Sequence, residues 1–384
     1  MDFNYTSDQD MLRDSLARYL QQEYDYHERG RIVAGGGFSA KAWSDFASFG
    51  WLGAALPEDA GGFGGGGVEA GIVAEAFGRH IVLEPYLWTV IVGGTLLRFG
   101  AEGDRRDALL GSMIEGSLQL ALAAHESDAG HDFTQIATVA TPASDGKGWT
   151  LDGRKAIVPN GGVADKFFVT AKLAGTGAGT GGVSLFLIDR DAPGVSLRTF
   201  RLNDDSNAAE LTLSNVAVAR ADLVGAEGDA LALLELAADH GAAAVCAETV
   251  GSCAYLLDTT CEYLKTREQY GAPLAKLQVI QHRLADMYVA VELCRSRALM
   301  AADALDKPAA ERMRAISAAR VQAIRCAKLV GRDAVQLHGG MGMSEELDVS
   351  AHFKRLMTTP LFFGDEAFHL ARFADSAEQV AEMP

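Results

Sequence analysis

An arginine and several amide side chains lie close together in the stretch 263–287. Arg267 and Gln269 precede Gly271, which suits the left-handed backbone of a helix C-cap, and Pro273 cannot continue a helix. The pattern therefore predicts the last turn of one helix, a tight turn and the start of a second helix. A planar cation with neighbouring amides suits a phosphate or a flat polar heterocycle, and a charged corner facing only water is the alternative. The other amide residues of this corner are Gln278 and Gln281.

A second group of side chains that can do chemistry lies at 125–132. His125, His131 and Asp132 are of metal-ligating types, but their spacing is not His-Glu-x-x-His, so no metal site is predicted. The glycine-rich run at 61–67 lacks the Lys and Ser or Thr of a phosphate-binding P-loop. We therefore predict a flexible connector there.

Composition narrows the class of protein. The 384 residues suffice for two or three domains, and 48% hydrophobic with 22% charged residues is ordinary for a folded globular chain. The net charge of −17 argues against nucleic acid as a partner, because no basic face easily outweighs it. An anionic ligand therefore needs a local cation, which Arg267 would supply.

The first residues and the cysteines indicate the compartment. The acidic start has no apolar segment of a signal peptide, and no stretch has the length and apolar character of a membrane span. The cysteines are odd in number and lack Cys-x-x-Cys spacing, so we expect reduced, buried thiols in a cytoplasmic protein. They are Cys246, Cys253, Cys261, Cys294 and Cys326.

The hydrophobic period divides the chain into three predicted domains. Residues 1–120 show a helical period, with Ser39 as one N-cap. Residues 121–228 contain short β-rich runs between Gly, Asp, Asn and Pro, which predicts a compact antiparallel sandwich or barrel. The glycine-rich run at 175–182 is predicted to be a flexible hairpin connection.

Residues 229–384 return to the helical period. Apolar positions alternate in threes and fours from Leu277 to Leu305, which is typical of the seam of an antiparallel bundle helix. A similar stripe runs through 316–337, and helices on either side complete a predicted four-helix bundle. The predicted fold class is therefore α+β, with an N-terminal helical domain, a central antiparallel β domain and a C-terminal four-helix bundle.

Motifs along essentially the whole chain resemble the acyl-CoA dehydrogenase family. Arg267-Glu-Gln-Tyr-Gly271 followed by Ala-Asp-Met287 is similar to the family's Arg-x-x-Phe-Gly and Ala-Asp-Met block. The segment 149–165 resembles the block that opens the second half of the family's β domain. The segment 334–343 resembles the family's Gln-x-x-Gly-Gly-x-Gly block, and the order of the three domains also matches.

The resemblance implies an FAD-dependent oxidoreductase of fatty acid β-oxidation. Such an enzyme removes an α-proton and a β-hydride from an acyl-CoA, with a carboxylate as base and electron-transfer flavoprotein as electron acceptor. It also implies contacts across a subunit interface, so an oligomer is expected. The positions carried over are Arg267 for the FAD pyrophosphate with Gln269 and Tyr270 beside it, Gln278 for the adenosine half, and Gln336, Gly339 and Gly340 for a neighbouring subunit's dinucleotide.

The flavin-facing and base positions differ from the family pattern. His125 stands where the family has a hydroxyl donor to the flavin, and Ile157 stands where it has a tryptophan. Pro159, near Ile157, offers neither a hydroxyl nor an N–H. The usual base position falls on Phe363 or Gly364, depending on the residue from which the count starts.

Two neighbouring acids are candidate substitutes for the base. Asp365 and Glu366 follow the vacant position, although acids at the start of a helix also favour its dipole. The family's other base location falls on Gly241, and the adjacent Asp239 and His240 would point elsewhere on a helix.

Vacant base positions are typical of small subunits of heteromeric family members, and 363–372 looks closest to the pimeloyl-CoA dehydrogenase type. The leading hypothesis is a hetero-oligomer with two copies of each subunit, in which a large subunit carries the base. The second is a self-sufficient homotetramer that uses Asp365 or Glu366. The third is a non-catalytic, flavin-free interaction protein of the same fold.

Overall fold

The computed structural model describes residues 5–127, 129–174 and 182–381. In chain order they form helices, then a sheet, then helices again. Contacts divide the described residues into two compact units, unit 1 from 1–31, 66–82 and 242–384, and unit 2 from 32–65 and 83–241. The domain boundaries 1–120, 121–228 and 229–384 stay predictions.

The N-terminal part is helical, with caps that its sequence encodes. α1 (Ser7–Glu23) begins after Thr6, which exchanges hydrogen bonds with Gln9 in a capping box. α3 (Ala40–Ser48) begins after Ser39, whose Oγ accepts from the Ala42 N–H at 3.2 Å, so the predicted N-cap is confirmed. The helices are α1 (Ser7–Glu23), α2 (Tyr26–Ala34), α3 (Ala40–Ser48), α4 (Gly67–His80), α5 (Gly94–Gly100) and α6 (Gly103–Ile114), with a π-helical segment (Tyr86–Gly93) before α5.

One sheet occupies the middle of the chain. Its strands are β1 (Leu120–Ala123), β2 (Val139–Pro142), β3 (Gly148–Pro159), β4 (Lys166–Leu173), β5 (Val183–Asp189), β6 (Val195–Arg201), β7 (Asn207–Ala219) and β8 (Leu223–Val224). The hydrogen-bonded order is β6-β7-β3-β2-β4-β5-β8, and β1 pairs with β4. The predicted glycine-rich hairpin connection lies outside the described residues, apart from Gly182.

The sheet is mostly antiparallel, with two exceptions. β1 and β2 each run parallel to β4, so the prediction of an antiparallel domain is wrong for these two pairings. The chain reaches β4 from β1 and β2 by crossover connections, and a crossover, unlike a hairpin, leaves the paired strands parallel. The core between these strands is apolar, and Trp149 meets Phe186 edge-on at 5.3 Å.

The C-terminal part contains the predicted bundle helices. These are α7 (Leu231–Thr266), α8 (Gln278–Asp303), α9 (Ala309–His338), α10 (Val349–Thr358) and α11 (Glu366–Ala381). Met287, Val291 and Cys294 are buried along α8, as the predicted seam requires. The last predicted helix is two helices, because the chain turns at 359–365 between α10 and α11.

The turn after α7 differs from the predicted helix C-cap. α7 ends at Thr266, and a short hairpin follows, formed by β9 (Glu268–Gln269) and β10 (Ala272–Pro273). Tyr270 and Gly271 are its two central residues, with φ of +56° and +78°. Two positive φ values are what a tight hairpin turn requires, so the left-handed glycine serves a hairpin instead of a helix end.

The cysteines lie in the helices of the C-terminal part. All five are free thiols; Cys261 is half-buried and the others are buried. Burial raises the pKa of the Cys246 thiol to about 11, which keeps it protonated and unreactive at neutral pH.

Candidate functional site

The ends of three helices of unit 1 form a groove of about 820 Å³. α7 ends there, α8 begins there and α9 ends there. The groove brings together four of the predicted cofactor-binding residues: Arg267, Gln336, Gly339 and Gly340. Its other lining residues are Tyr263, Leu274, Val279, Ile280, Arg283, Leu337, His338 and Met341.

Arg267 gives this groove a cation that no acid among the described residues neutralises. Its backbone is held by hydrogen bonds with Tyr263 and Leu274 at 2.8 and 2.9 Å. Within the described residues its guanidinium has no hydrogen bond or salt bridge, whereas Arg283 lies 3.7 Å from the Asp333 carboxylate. A free, planar guanidinium on a fixed backbone is suited to bind phosphate oxygens in a bidentate manner.

Gly339 and Gly340 leave the backbone of the groove open. Gly339 has a φ of +63°, and a Cβ atom added at either glycine would meet nothing within 4 Å. Beside them the His338 ring stacks on Tyr263 at 4.5 Å, and its Nδ1–H donates to the Ala334 carbonyl at 2.9 Å. A free cation, an amide and open glycine backbone around one groove fit the pyrophosphate and nucleotide end of FAD.

Three predicted cofactor residues do not line the groove. Gln269 lies in β9, and Tyr270 at the hairpin tip is 94% exposed. Gln278 is the first residue of α8 and is also exposed. Their side chains point to surface that is open in the single chain, so their proposed contacts to the cofactor stay predictions.

His125 and Ile157, the residues predicted to face the flavin ring, are neighbours in unit 2. They form an antiparallel bridge, and the Ala156 N–H donates to the His125 carbonyl at 2.9 Å. Ile157 is 45% exposed, so it offers an apolar surface. Burial, with a smaller effect of the nearby His131, lowers the pKa of His125 to about 4, which keeps the imidazole neutral at physiological pH.

The two candidate bases have structural partners. The Asp365 Oδ1 accepts from the Phe368 N–H at 2.8 Å and caps the start of α11. Glu366 accepts from Arg325 Nε and Lys328 Nζ, each at 2.8 Å. These hydrogen bonds lower the pKa of the Glu366 carboxyl, which makes it a weaker base.

The loop at 359–364, where the base position is predicted, is held by buried side chains. The fully buried Arg320 donates through Nη2 to the carbonyls of Thr359, Phe362 and Gly364, at 3.2, 2.9 and 3.3 Å. The buried His369 donates through Nε2 to the Phe363 carbonyl at 3.0 Å. Phe363 and Gly364 both have positive φ, and a Cβ at Gly364 would lie 2.3 Å from the Phe368 ring.

Metal ligation has no support among the described residues, which contain no group of three or more His, Cys, Asp or Glu side chains suited to hold an ion. The same part of the chain has no helix with the length and apolar character needed to cross a bilayer.

Comparisons with known proteins address the family. Residues 6–117, 121–216 and 231–377 match the N-terminal, middle and C-terminal domains of acyl-CoA dehydrogenases. The chain belongs to the acyl-CoA dehydrogenase family. The predicted family, three-part fold, oxidoreductase class and FAD cofactor are thereby confirmed.

Individual relatives differ in what they act on. This acyl-CoA dehydrogenase is 28% identical to L-prolyl-[peptidyl-carrier protein] dehydrogenase of Serratia sp. (strain ATCC 39006), with 95% of each chain covered. A variant of the Tcur3481-Tcur3483 steroid acyl-CoA dehydrogenase superposes with a TM-score of 0.86 at 28% identity, covering 98% of this chain and 99% of that one. The FAD complex of PigA superposes with a TM-score of 0.90 at 25% identity, with 98% and 99% covered.

Sequence reasoning missed two features of the site. Tyr263 and His338 form the stacked wall of the groove, and they belong to helix ends that are far apart in the chain. Glu126 and Lys155 form a buried ion pair next to His125 and Ile157. The sequence did contain a signal for this pair. Lys155 falls on the same face of the strand as the apolar Trp149 and Leu151, because alternate residues of a strand share a face.

Proposed function

We propose that this chain is a subunit of a hetero-oligomeric, FAD-dependent acyl-CoA dehydrogenase whose partner subunit carries the catalytic base. The observation that carries this proposal is the contrast between the predicted cofactor groove and the predicted base position of this chain. The groove around Arg267 is built for an anionic dinucleotide, whereas Phe363 and Gly364 occupy the usual base position.

The groove residues have distinct roles toward the cofactor. Arg267 would bind the pyrophosphate, Gln336 would donate or accept through its amide, and the backbone at Gly339 and Gly340 would allow close approach. When bound, FAD accepts the hydride that no side chain can take. His125 and Ile157 would lie beside a flavin ring.

A base is needed as well, because the α-proton of an acyl thioester must leave as the hydride does. Asp365 is engaged at the start of α11, and Glu366 is held by two cations that stabilise its charged form. The hydrogen bonds from Lys328 and Arg325 lower the pKa of Glu366, whereas proton abstraction at neutral pH favours a more basic carboxylate. This supports a base supplied by another subunit.

An exposed apolar face on α8 supports an oligomer. Val279, Val289, Leu293 and Met300 lie on one side of the helix and are 66, 55, 53 and 38% exposed. Their side of the helix differs from the buried seam that contains Met287. Apolar residues aligned in this way are typical of protein interfaces, and a large homologous subunit is the partner we propose, in a tetramer with two copies of each.

The remaining assignments extend this proposal. The substrate would be an acyl-CoA, and electron-transfer flavoprotein would reoxidise the flavin. The free thiols support a cytoplasmic location. A homotetramer with Asp365 or Glu366 as base and a flavin-free interaction protein are the two alternatives.

One set of preparations distinguishes the three. The chain is purified alone and after co-expression with a large-subunit homologue encoded by a neighbouring gene, and bound flavin and turnover with acyl-CoAs are measured. We expect bound flavin and turnover in the co-expressed preparation and neither in the chain purified alone. Full turnover of the chain alone supports the homotetramer, and absence of flavin from both preparations contradicts both enzymatic hypotheses.

A further inference from the structure

A lysine of the β domain is buried as a charged group. Lys155 in β3 has no exposed side-chain surface, and its Nζ lies 2.7 Å from Glu126 Oε1, whose side chain is 11% exposed. The same Nζ donates to Thr170 Oγ1 at 3.0 Å. Burial lowers the pKa of Lys155 to about 8, although the neighbouring Glu126 carboxylate favours the charged form.

The Glu126 carboxylate closes the loop 126–138. It accepts from the Ala137 N–H at 2.7 Å, the Thr138 N–H at 3.1 Å and the Thr138 hydroxyl at 2.6 Å, in addition to Lys155. One side chain therefore joins both ends of the loop to each other and to β3. Four donors on one carboxylate leave the loop little freedom at these ends.

The ion pair lies next to the residues expected to face the flavin. Glu126 directly follows His125, and Lys155 precedes Ile157 by two positions in β3. The bridge between His125 and Ile157 closes the same corner, with the Ala156 N–H bound to the His125 carbonyl. The backbone of His125 and Ile157 is therefore tied to the ion pair through one peptide unit and one strand.

Stability alone does not account for this arrangement. Replacing a buried ion pair by apolar residues of similar volume is often neutral or stabilising, because charges lose hydration on burial. What an apolar replacement does not reproduce is the set of directed hydrogen bonds that holds the loop ends. The specific contribution of the pair is therefore geometric.

We propose that Glu126 and Lys155 are a positioning pair that fixes His125 and Ile157 for the flavin ring. This inference rests on the proposed function, since it requires that the chain face FAD with these residues. Neither member of the pair needs to touch the cofactor.

The test uses three variants of the full chain, co-expressed with its partner subunit: Lys155→Met, Glu126→Gln and the double variant. Arg154→Gln is the matched control, because Arg154 directly precedes Lys155 in β3 and pairs with Glu210 at the surface. The measurements are the FAD dissociation constant, the visible absorption spectrum of the bound flavin and the melting temperature. The spectrum reports on the surroundings of the ring.

In the double variant we expect a melting temperature near that of the parent, with FAD affinity weaker by about tenfold, the size of one lost hydrogen bond, and an altered flavin spectrum. Arg154→Gln should match the parent in all three. A double variant with the parent's affinity and spectrum would overturn the inference while leaving the proposed function intact. A parent complex without FAD would instead overturn the proposed function, and the inference with it.

Discussion

Replacing Arg267 by alanine tests the nucleotide groove directly. The guanidinium has no partner within the described residues, so its removal breaks no salt bridge and leaves no buried acid unpaired. The fold should therefore be unaffected, and any loss of FAD can be assigned to the lost contact. A hydrogen bond to a charged group contributes about 2 kcal/mol, which corresponds to an affinity weaker by about thirtyfold.

Arg283, the second cation of the groove, can compensate for the loss of Arg267 only in part. Arg283 lies 3.7 Å from Asp333 and would have to leave that carboxylate to replace Arg267. The contribution of an exposed cation is also screened by salt, so the difference between parent and variant should shrink as ionic strength rises.

In the assay, the complex without FAD is titrated with FAD at low and at high salt, and the visible absorption of the bound flavin measures binding. Arg18→Ala is the control, since Arg18 is an exposed arginine of α1 outside the groove and its replacement changes the net charge equally. Equal FAD affinity of Arg267→Ala and Arg18→Ala would refute the assignment of Arg267 to the pyrophosphate.

Three further predictions concern the base, the buried loop support and acid stability. Asp365→Asn and Glu366→Gln should each retain turnover in the hetero-oligomer, and loss of turnover in either would favour the homotetramer hypothesis. Arg320→Met should lower the free energy of unfolding by about 3 kcal/mol, measured by urea denaturation, because carbonyls at 359–364 lose their donor; an unchanged urea midpoint would contradict this support. His80, His125 and His352 have pKa values lowered by burial to about 4, 4 and 3, so the folded state binds fewer protons than the unfolded chain. Their stabilising effect is complete above pH of about 6.5 and is lost as the pH falls toward 4, so the urea midpoint should drop between pH 7.5 and pH 5, and a rise would contradict the sign.

Local patterns were sufficient wherever one segment decides its own conformation. Ser39 caps α3 because its hydroxyl reaches an N–H three residues away, a contact set by neighbours in the chain. Met287 and Val291 are buried because their spacing puts them on one side of α8. The succession of helical, β and helical parts follows from the same periodicities, and motif resemblance then indicated the family.

Local patterns were insufficient where two different backbone structures require the same kind of residue. Gly271 needs a positive φ in a helix C-cap and in a hairpin turn alike, so its sequence context did not distinguish them. The parallel pairing of β1 with β4 likewise depends on how the intervening chain crosses over. The sequence of a strand does not show whether the neighbouring strand runs parallel or antiparallel to it.

The chemistry of the candidate site depends most on tertiary structure. The sequence by itself determined which residue types are present: a cation at 267, glycines at 339 and 340, and no carboxylate at 363 or 364. Only the fold decided that Arg267 has no charged partner in the part of the chain that the structure describes, while Glu366 is held by Arg325 and Lys328, some forty residues earlier in the chain. The physical reason is that the charge, basicity and freedom of a side chain depend on the groups packed around it, and helices bring those groups from distant parts of the sequence.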